Sequence, residues 1–366
     1  MATSFLTQLV ELAYDADMNE SAYSGVISVP VYGPAYDVYK FQPIKDPGFK
    51  GRARDDANRF GAAWAEFKFY MEMGGFDEFD DGGTEYNPPV WGRLCKAMAM
   101  KDTDGTADGN WAYEVDDKIH LSDDTVHVSE FLNPLTSIVN IDGYYFAIDK
   151  GVMNGTFSMD VDEGPPRLTI TSYMGNIYKD TSNNYYWYPT TDVPAGIGSV
   201  TEYLPPRPVD AANATLTLSV VPNDGTYTPV AVTGICLRRW EHNVGNQIGK
   251  QSCMNERFKR GQFFIRNQND NKATLVVKVQ DPGTYSAPAT FNPYKMVENR
   301  DMIDFSLVHN SGVANEEITF ICDYYISEVV GVKDDGEGVL EYTLTLQQAS
   351  LTPDMKKAQY LKISVT

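Results

Sequence analysis

The sequence predicts a mainly β chain: two related antiparallel β-sandwich or β-barrel domains, each carrying one short helix. Three observations predict it. Strand-length segments alternate apolar and polar residues along much of the chain. Turn formers punctuate them, and Asp142-Gly143 between two apolar runs is the clearest. Aromatic residues are heavily used, with 23 Tyr, 17 Phe and 5 Trp, a usage that suits strands and interfaces better than helices.

At 366 residues the chain is long enough for two domains with separate cores. The expected division is 1–210 and 211–366, after a Tyr- and Pro-rich connection over 175–210. Net charge is −20, which argues against a duplex-DNA clamp. The acid is uneven. Met1–Asp210 holds 33 Asp+Glu against 15 Lys+Arg, and Ala211–Thr366 holds 17 against 15. The four cysteines, Cys95, Cys236, Cys253 and Cys322, form no CxxC pair and read as buried free thiols in a reducing compartment. The start MATSFLTQLVELAYDADM lacks the basic and apolar regions of a signal peptide. No run approaches the roughly 20 apolar residues that span a bilayer, so no membrane partner is expected.

The elements follow in order. Residues 14–60 read as a long excursion with short strands at Val26–Val31 and Tyr36–Phe41. Its aromatic residues Tyr23, Tyr32, Tyr36, Tyr39 and Phe41 mark it as an arm for inter-subunit contact. In Ala63–Met73, Phe67, Phe69, Met71 and Met73 alternate with Glu66, Lys68, Tyr70 and Glu72, a half-buried strand. Asn87, Pro88 and Pro89 then suit a helix start, and Val90, Leu94, Ala97 and Met98 recur at helical spacing over about three turns. Ser137–Ile141 and Tyr144–Ile148 form a hairpin. Thr156–Val161 and Arg167–Thr171 form a second pair. Beyond residue 210 come strands at Ala214–Val221, Val230–Trp240, Gln262–Arg266 and Ala273–Val279, then a short helix, Asn292–Asn299. Asp304–Val308, Glu317–Ile321 and two strands around KDDGEG complete the chain.

The order strand, short helix, hairpin, strand pair occurs twice. Its closest local match sets VDEGPPRLTIT (Val161–Thr171) beside VKDDGEGVLEYTLT (Val332–Thr345). The match lies in the order of elements more than in residue identity.

Chemistry is sparse. His120 and His127 lie near Asp123 and Asp124 without a metal-ligand spacing. The loops Phe76–Gly83 and Asp102–Gly109 are Asp-rich but lack the final Glu of an EF-hand. No GxSxG, GxxxxGK[ST] or GxGxxG segment is present. The expectation is therefore no catalytic residue, no cofactor and no metal. The basic cluster Arg257, Lys259 and Arg260 reads as a solvated edge or a contact with an acidic neighbour. The segment Asn183–Pro189 (NNYYWYP) offers an alternative reading, a sugar platform on a carbohydrate-binding β-sandwich.

Several segments in succession resemble the longer tail tube proteins (major tail proteins) of long-tailed bacteriophages. AAWAEFKFYMEMGG followed by PPVWGRLCKAMAM resembles that family's alternating strand, closing Gly and Trp-containing helix. NIDGYYFAIDKGVMNGTFSMDVDEGPPRLTITSYMG resembles its hairpin and following strand pair. RNQNDNKATLVVKV, NPYKMVEN and VKDDGEG fill the corresponding places in the second half. Cys95 and Lys96 depart from the small or apolar residues usual in the helix.

The resemblance implies a non-enzymatic virion protein, assembled in the host bacterial cytoplasm. It implies stacked rings closed by β-sheet into a hollow barrel, through which DNA passes without specific binding. The family builds each ring from six tube domains, so two domains per chain imply a homotrimer, with a six-chain ring as the alternative. Other tail proteins are implied partners. Glu66, Lys68, Glu72 and Asp160 are the candidate lumen-facing positions, and a negative lumen would let phosphates slide. A capsid decoration or baseplate protein is the other virion reading.

Overall fold

The computed structural model describes residues 8–13, 27–43, 60–74, 89–103, 105, 110–115, 135–141, 144–161, 164–174, 176–177, 201–202, 214–252, 261–267, 271–279, 291–310, 317–334 and 340–365. The fold is mainly β, with a large antiparallel sheet that is not closed into a barrel. The first elements are β1 (Gln8–Ala13), β2 (Ile27–Pro43), β3 (Phe60–Glu72), α1 (Val90–Ala97), β4 (Lys101–Thr103), β5 (Trp111–Glu114), β6 (Leu135–Ile141), β7 (Tyr144–Asp160), β8 (Arg167–Met174), β9 (Asn176–Ile177) and β10 (Thr201–Glu202). There follow β11 (Ala214–Val221), β12 (Val230–Ala231), β13 (Ile235–Asn243), β14 (Gln247–Ser252), β15 (Gly261–Asn267), β16 (Lys272–Val279), α2 (Pro293–Asn299), β17 (Met302–Asn310), β18 (Glu317–Asp334), β19 (Leu340–Gln348) and β20 (Lys362–Val365).

Antiparallel pairing runs β2–β3–β8–β7–β13–β16–β19–β18 in one layer. A second layer runs β12–β11–β17–β18–β20–β5–β4. Strand β18 serves both: Glu317–Tyr325 pairs with β17, and Tyr324–Asp334 pairs with β19. Strand β7 is divided the same way, pairing with β6 as far as Gly151 and with β8 from Val152. These long strands join hairpins that sequence periodicity reads as separate.

Alternation explains which face is buried. On β3, Phe67, Phe69, Met71 and Met73 are buried, and Glu66, Lys68, Tyr70 and Glu72 point the other way. On β16, Ala273, Leu275, Val277 and Val279 are buried. Each such large side chain contributes roughly 1.5–3 kcal/mol when fully buried. The two layers meet through aromatic contacts. Trp240 stacks on Phe305 at 5.4 Å and lies 5.0 Å from Phe320, which lies 6.2 Å from Phe157. One hydrophobic cluster thus takes residues from both sides of residue 210, and the β7–β13 ladder crosses that point.

Three sequence expectations change. The strands expected at Val26–Val31 and Tyr36–Phe41 are one strand, β2, paired with β1 and β3. The turn formers Gly33 and Pro34 fall in a register shift between Tyr32 and Ala35, so the chain is displaced without turning back. Val230–Trp240 breaks into β12 and β13 around Gly234, whose φ of 74° favours glycine. Cys236 is exposed, whereas Cys95 and Cys322 are buried free thiols. Its neighbour Leu237 packs against the core, and alternation turns Cys236 outward. Cys253, His120, His127, the loop Phe76–Gly83 and most of Asp102–Gly109 lie outside the described residues.

Helix α1 starts on Pro89 without a side-chain cap, and Asn87 lies outside the described residues. It is eight residues long, shorter than the spacing suggested. The indole N–H of Trp91 donates to the Gly74 carbonyl at 2.9 Å, tying the helix to the end of β3. Tyr113 occupies the space a Cβ on residue 92 would need, so only glycine fits there. Helix α2 is capped by Asn292, whose side chain accepts the Lys295 N–H at 3.1 Å, with Pro293 next.

The β17–β18 ladder buries polar groups. His242 Nδ1 lies 2.7 Å from the Tyr324 hydroxyl. Burial drives the His242 pKa down to about 3 and that of His309 to about 4. Asp323 faces Asp304 across the ladder, and its carboxylate accepts the Gln359 N–H at 2.7 Å. Burial pushes the Asp323 pKa up to about 6. The Gln359 hydrogen bond opposes that rise and the Asp304 charge adds to it.

The folded chain therefore holds the Asp323 proton more tightly than the unfolded chain. Its stabilising contribution is complete below about pH 4 and is lost as pH rises through the folded value. Asp323→Asn is expected to stabilise the fold by about 1–2 kcal/mol at about pH 8, after discounting for solvent screening, and to change little at about pH 4. The two histidines titrate in the opposite sense but are common to both proteins. Denaturant midpoints at the two pH values check this, and a difference independent of pH would refute it.

Candidate self-assembly edges

The strand pairing itself repeats. β1 pairs with the start of β2, as β11 pairs with β12. β2 pairs with β3, as β13 pairs with β16. β3 pairs with β8, as β16 pairs with β19. β1 pairs with β6, as β11 pairs with β17. β6, β7 and β8 pair in succession, as do β17, β18 and β19. The registers agree as well: Phe69 faces Ile170 where Leu275 faces Leu344.

The helix ends also match. Ala99 and Arg300 both sit at a φ of 60°, donating to Lys96 and Val297 carbonyls respectively. The next residues, Met100 and Asp301, donate back to Cys95 and Met296. Two non-glycine residues in the left-handed region, Ala99 just past the α1 cap Met98 and Arg300 at the α2 cap itself, close their helices with the same pair of hydrogen bonds, an independent sign of one repeated device.

One feature breaks the repeat. Beyond Gly151, where the ladder with β6 stops, the far edge of β7 is covered by β13 over Thr156–Asp160. The joint is reinforced around α1. The Asn246 side chain donates to the Met98 carbonyl at 2.8 Å and to the Met153 carbonyl at 3.0 Å. The Val244 N–H donates to Gly155 at 3.0 Å. In the second repeat the ladder with β17 stops at Tyr325, and among the described residues no strand pairs with the corresponding edge of Glu328–Asp334. Phe157 is fully buried, whereas Val332, at the equivalent position facing Tyr342, is 38% exposed, and Val330 is 58% exposed. At the opposite end of the layer, β2 pairs with β3 over Tyr32–Pro43, and among the described residues nothing pairs with its other edge there.

A cavity of about 510 Å³ adjoins the open β18 edge, lined by Met296, Val297, Arg300, Tyr325, Ile326, Leu351 and Met355 among others. In the first repeat, by contrast, the α1 end is buried: Ala99 packs with Val152, Ile248 and Ile265.

Glu66, Lys68, Glu72 and Asp160 lie on one face of the layer, turned from the core. That face, from β3 to β19, carries Glu66, Glu72, Asp160, Glu241 and Glu341 against Lys68, Arg167, Arg239, Lys272 and Lys278. Arg239 and Glu241 pair at 2.7 Å, and Arg167 sits 5.3 Å over the Tyr70 ring. The face is electrically balanced, so the acidic excess expected there is carried elsewhere.

Tyr32, Tyr36, Tyr39 and Phe41 lie on β2, part of the sheet. Tyr23, Arg257, Lys259, Arg260 and Asn183–Pro189 lie outside the described residues. Among the described residues no group of three or more His, Cys, Asp or Glu side chains converges on a metal-sized site, and no helix is long and apolar enough to cross a membrane. No local sequence pattern marks these edges, because each appears only when the two halves' pairings are compared. No protein-family model matches the chain, and no curated protein matches it.

Proposed function

We propose that this chain is a structural building block of a bacteriophage tail tube, two related β domains that polymerise through sheet edges into stacked rings. The observation that carries the reading is the repeated pairing scheme with one covered and one open joint. A long edge left unpaired is a liability in a monomer and an asset in an assembly. Edges of different strands that are open among the described residues, at opposite ends of one layer, suit a head-to-tail contact, which generates a closed ring where the rotation permits. Two domains per chain favour three chains per ring. In this reading the balanced outward face of β3, β8 and β7 lines the conduit. With no net positive charge it offers phosphates nothing to hold, so DNA slides past without specific binding. The virion is then the location, with other tail proteins as further partners.

Negative-stain imaging of concentrated protein tests the proposal. The expected result is hollow tubes whose rings contain three chains with pseudo-six-fold symmetry. Six identical copies per ring, with residues 211–366 outside the wall, would refute the trimer. Discrete globular oligomers would refute the tube and favour a decoration or baseplate protein.

A further inference from the structure

We propose that the open edge of β18 is completed by β2 of a second copy, in the register that β13 already uses against β7 within the chain. The inference rests on the self-assembly reading above and deepens it by naming the two strands and their alignment. Inside one chain, Asn243 faces Thr156, His242 faces Phe157 and Glu241 faces Ser158. The β3 and β16 ladders transfer β13 onto β2. Asn243 faces Lys272 and His242 faces Ala273, where Asp37 faces Glu66 and Tyr36 faces Phe67. The β8 and β19 ladders transfer β7 onto β18: Thr156 faces Thr169 and Phe157 faces Leu168, where Gly331 faces Thr343 and Val332 faces Tyr342. Combining the two places Asp37 of one copy opposite Gly331 of the next, Tyr36 opposite Val332, and Ala35 opposite Lys333.

Three observations select a second copy as the occupant. The template for the joint exists in the chain and is antiparallel on both sides of β13. Both partner edges are open among the described residues, at opposite ends of one layer. The surface to be covered also has apolar character where the internal joint is closed. Val330 and Val332 are exposed on β18, and Val297, Leu351 and Met355 are exposed around the adjoining cavity. Pro34 is compatible, because it lies in the β2 register shift and leaves the flanking residues to pair.

Cysteine cross-linking tests the register in the full chain. The background carries Cys236→Ser and Cys253→Ser, since Cys236 is exposed; Cys95 and Cys322 are buried. One protein then carries Tyr36→Cys and another Val332→Cys. Mixed and oxidised, they are expected to give a disulfide-linked dimer at least about tenfold more abundant than either protein gives alone, as adjacent strand positions lie within disulfide reach. Tyr36→Cys mixed with Ala231→Cys, an exposed position on β12, serves as the off-register control. Equal cross-linking in the control, or none in the test pair, overturns the joint. Circular dichroism before mixing confirms that each variant is folded, and a misfolded variant is replaced by the neighbouring pair Ala35→Cys and Lys333→Cys. Imaging of the same oxidised samples separates this inference from the tube. The specific cross-link without tubes keeps the joint and removes the tube, and tubes without the cross-link do the reverse.

Discussion

A chain carrying Val330→Lys and Val332→Lys is expected to fold normally and to lose assembly. Both positions are exposed in the single chain, at 58% and 38%, so the substitutions cost the fold little, within about 0.5 kcal/mol each. At a joint closed by a second strand the same positions lose water. Lysines on a strand edge are a standard obstacle to added strands, because each ammonium must be desolvated or displaced. A loss of about 3–4 kcal/mol per contact raises the concentration needed for assembly by roughly a hundred- to a thousand-fold. Light scattering against protein concentration measures that threshold, with thermal melting as the check on folding. An unchanged threshold in a folded variant would remove the β18 edge from the assembly.

The parts of the fold legible in the sequence were those whose signal is local. Ala214–Val221 and Ala273–Val279 carry their own alternation and stand at those bounds or within one residue of them. Asn292 and Pro293 announce α2 by capping chemistry. Even the match of Thr171 with Thr345 survives as equivalent pairing, opposite Lys68 and Thr274 in corresponding strands.

What stayed hidden depends on distant partners. β4, β5 and β20 are three or four residues long and exist as strands through one another and β18. Strands β7 and β18 each change neighbours midway, and no pattern along a single strand records which neighbour it meets. For the same reason the candidate edges were invisible: an open edge is defined by what does not pair, and a sequence lists residues without their partners. Tyr32, Tyr36, Tyr39 and Phe41 of the expected arm lie on β2, and its pairing with β1 and β3 is fixed by strands on either side of it in the chain.

Trp240→Ala is expected to destabilise the chain by about 3–5 kcal/mol, the range for removing a fully buried Trp or Phe. Trp240 is completely buried on β13, at the strand that joins the two repeats. Its backbone faces Met159 of β7 on one side and Leu275 of β16 on the other. Its side chain crosses to the second layer, stacking on Phe305 of β17 and meeting Phe320 of β18. A cavity here therefore removes packing from both repeats and both layers together, with little room to collapse because the surrounding groups are large and ring-shaped. Trp240→Phe, which keeps an aromatic plane against Phe305, should recover more than half of the loss. Denaturant unfolding followed by far-UV circular dichroism gives the comparison. The first variant should unfold at a clearly lower midpoint, and its β7–β13 amides should exchange faster than those of β17. A loss below about 1 kcal/mol would show that the two repeats are held together without this side chain.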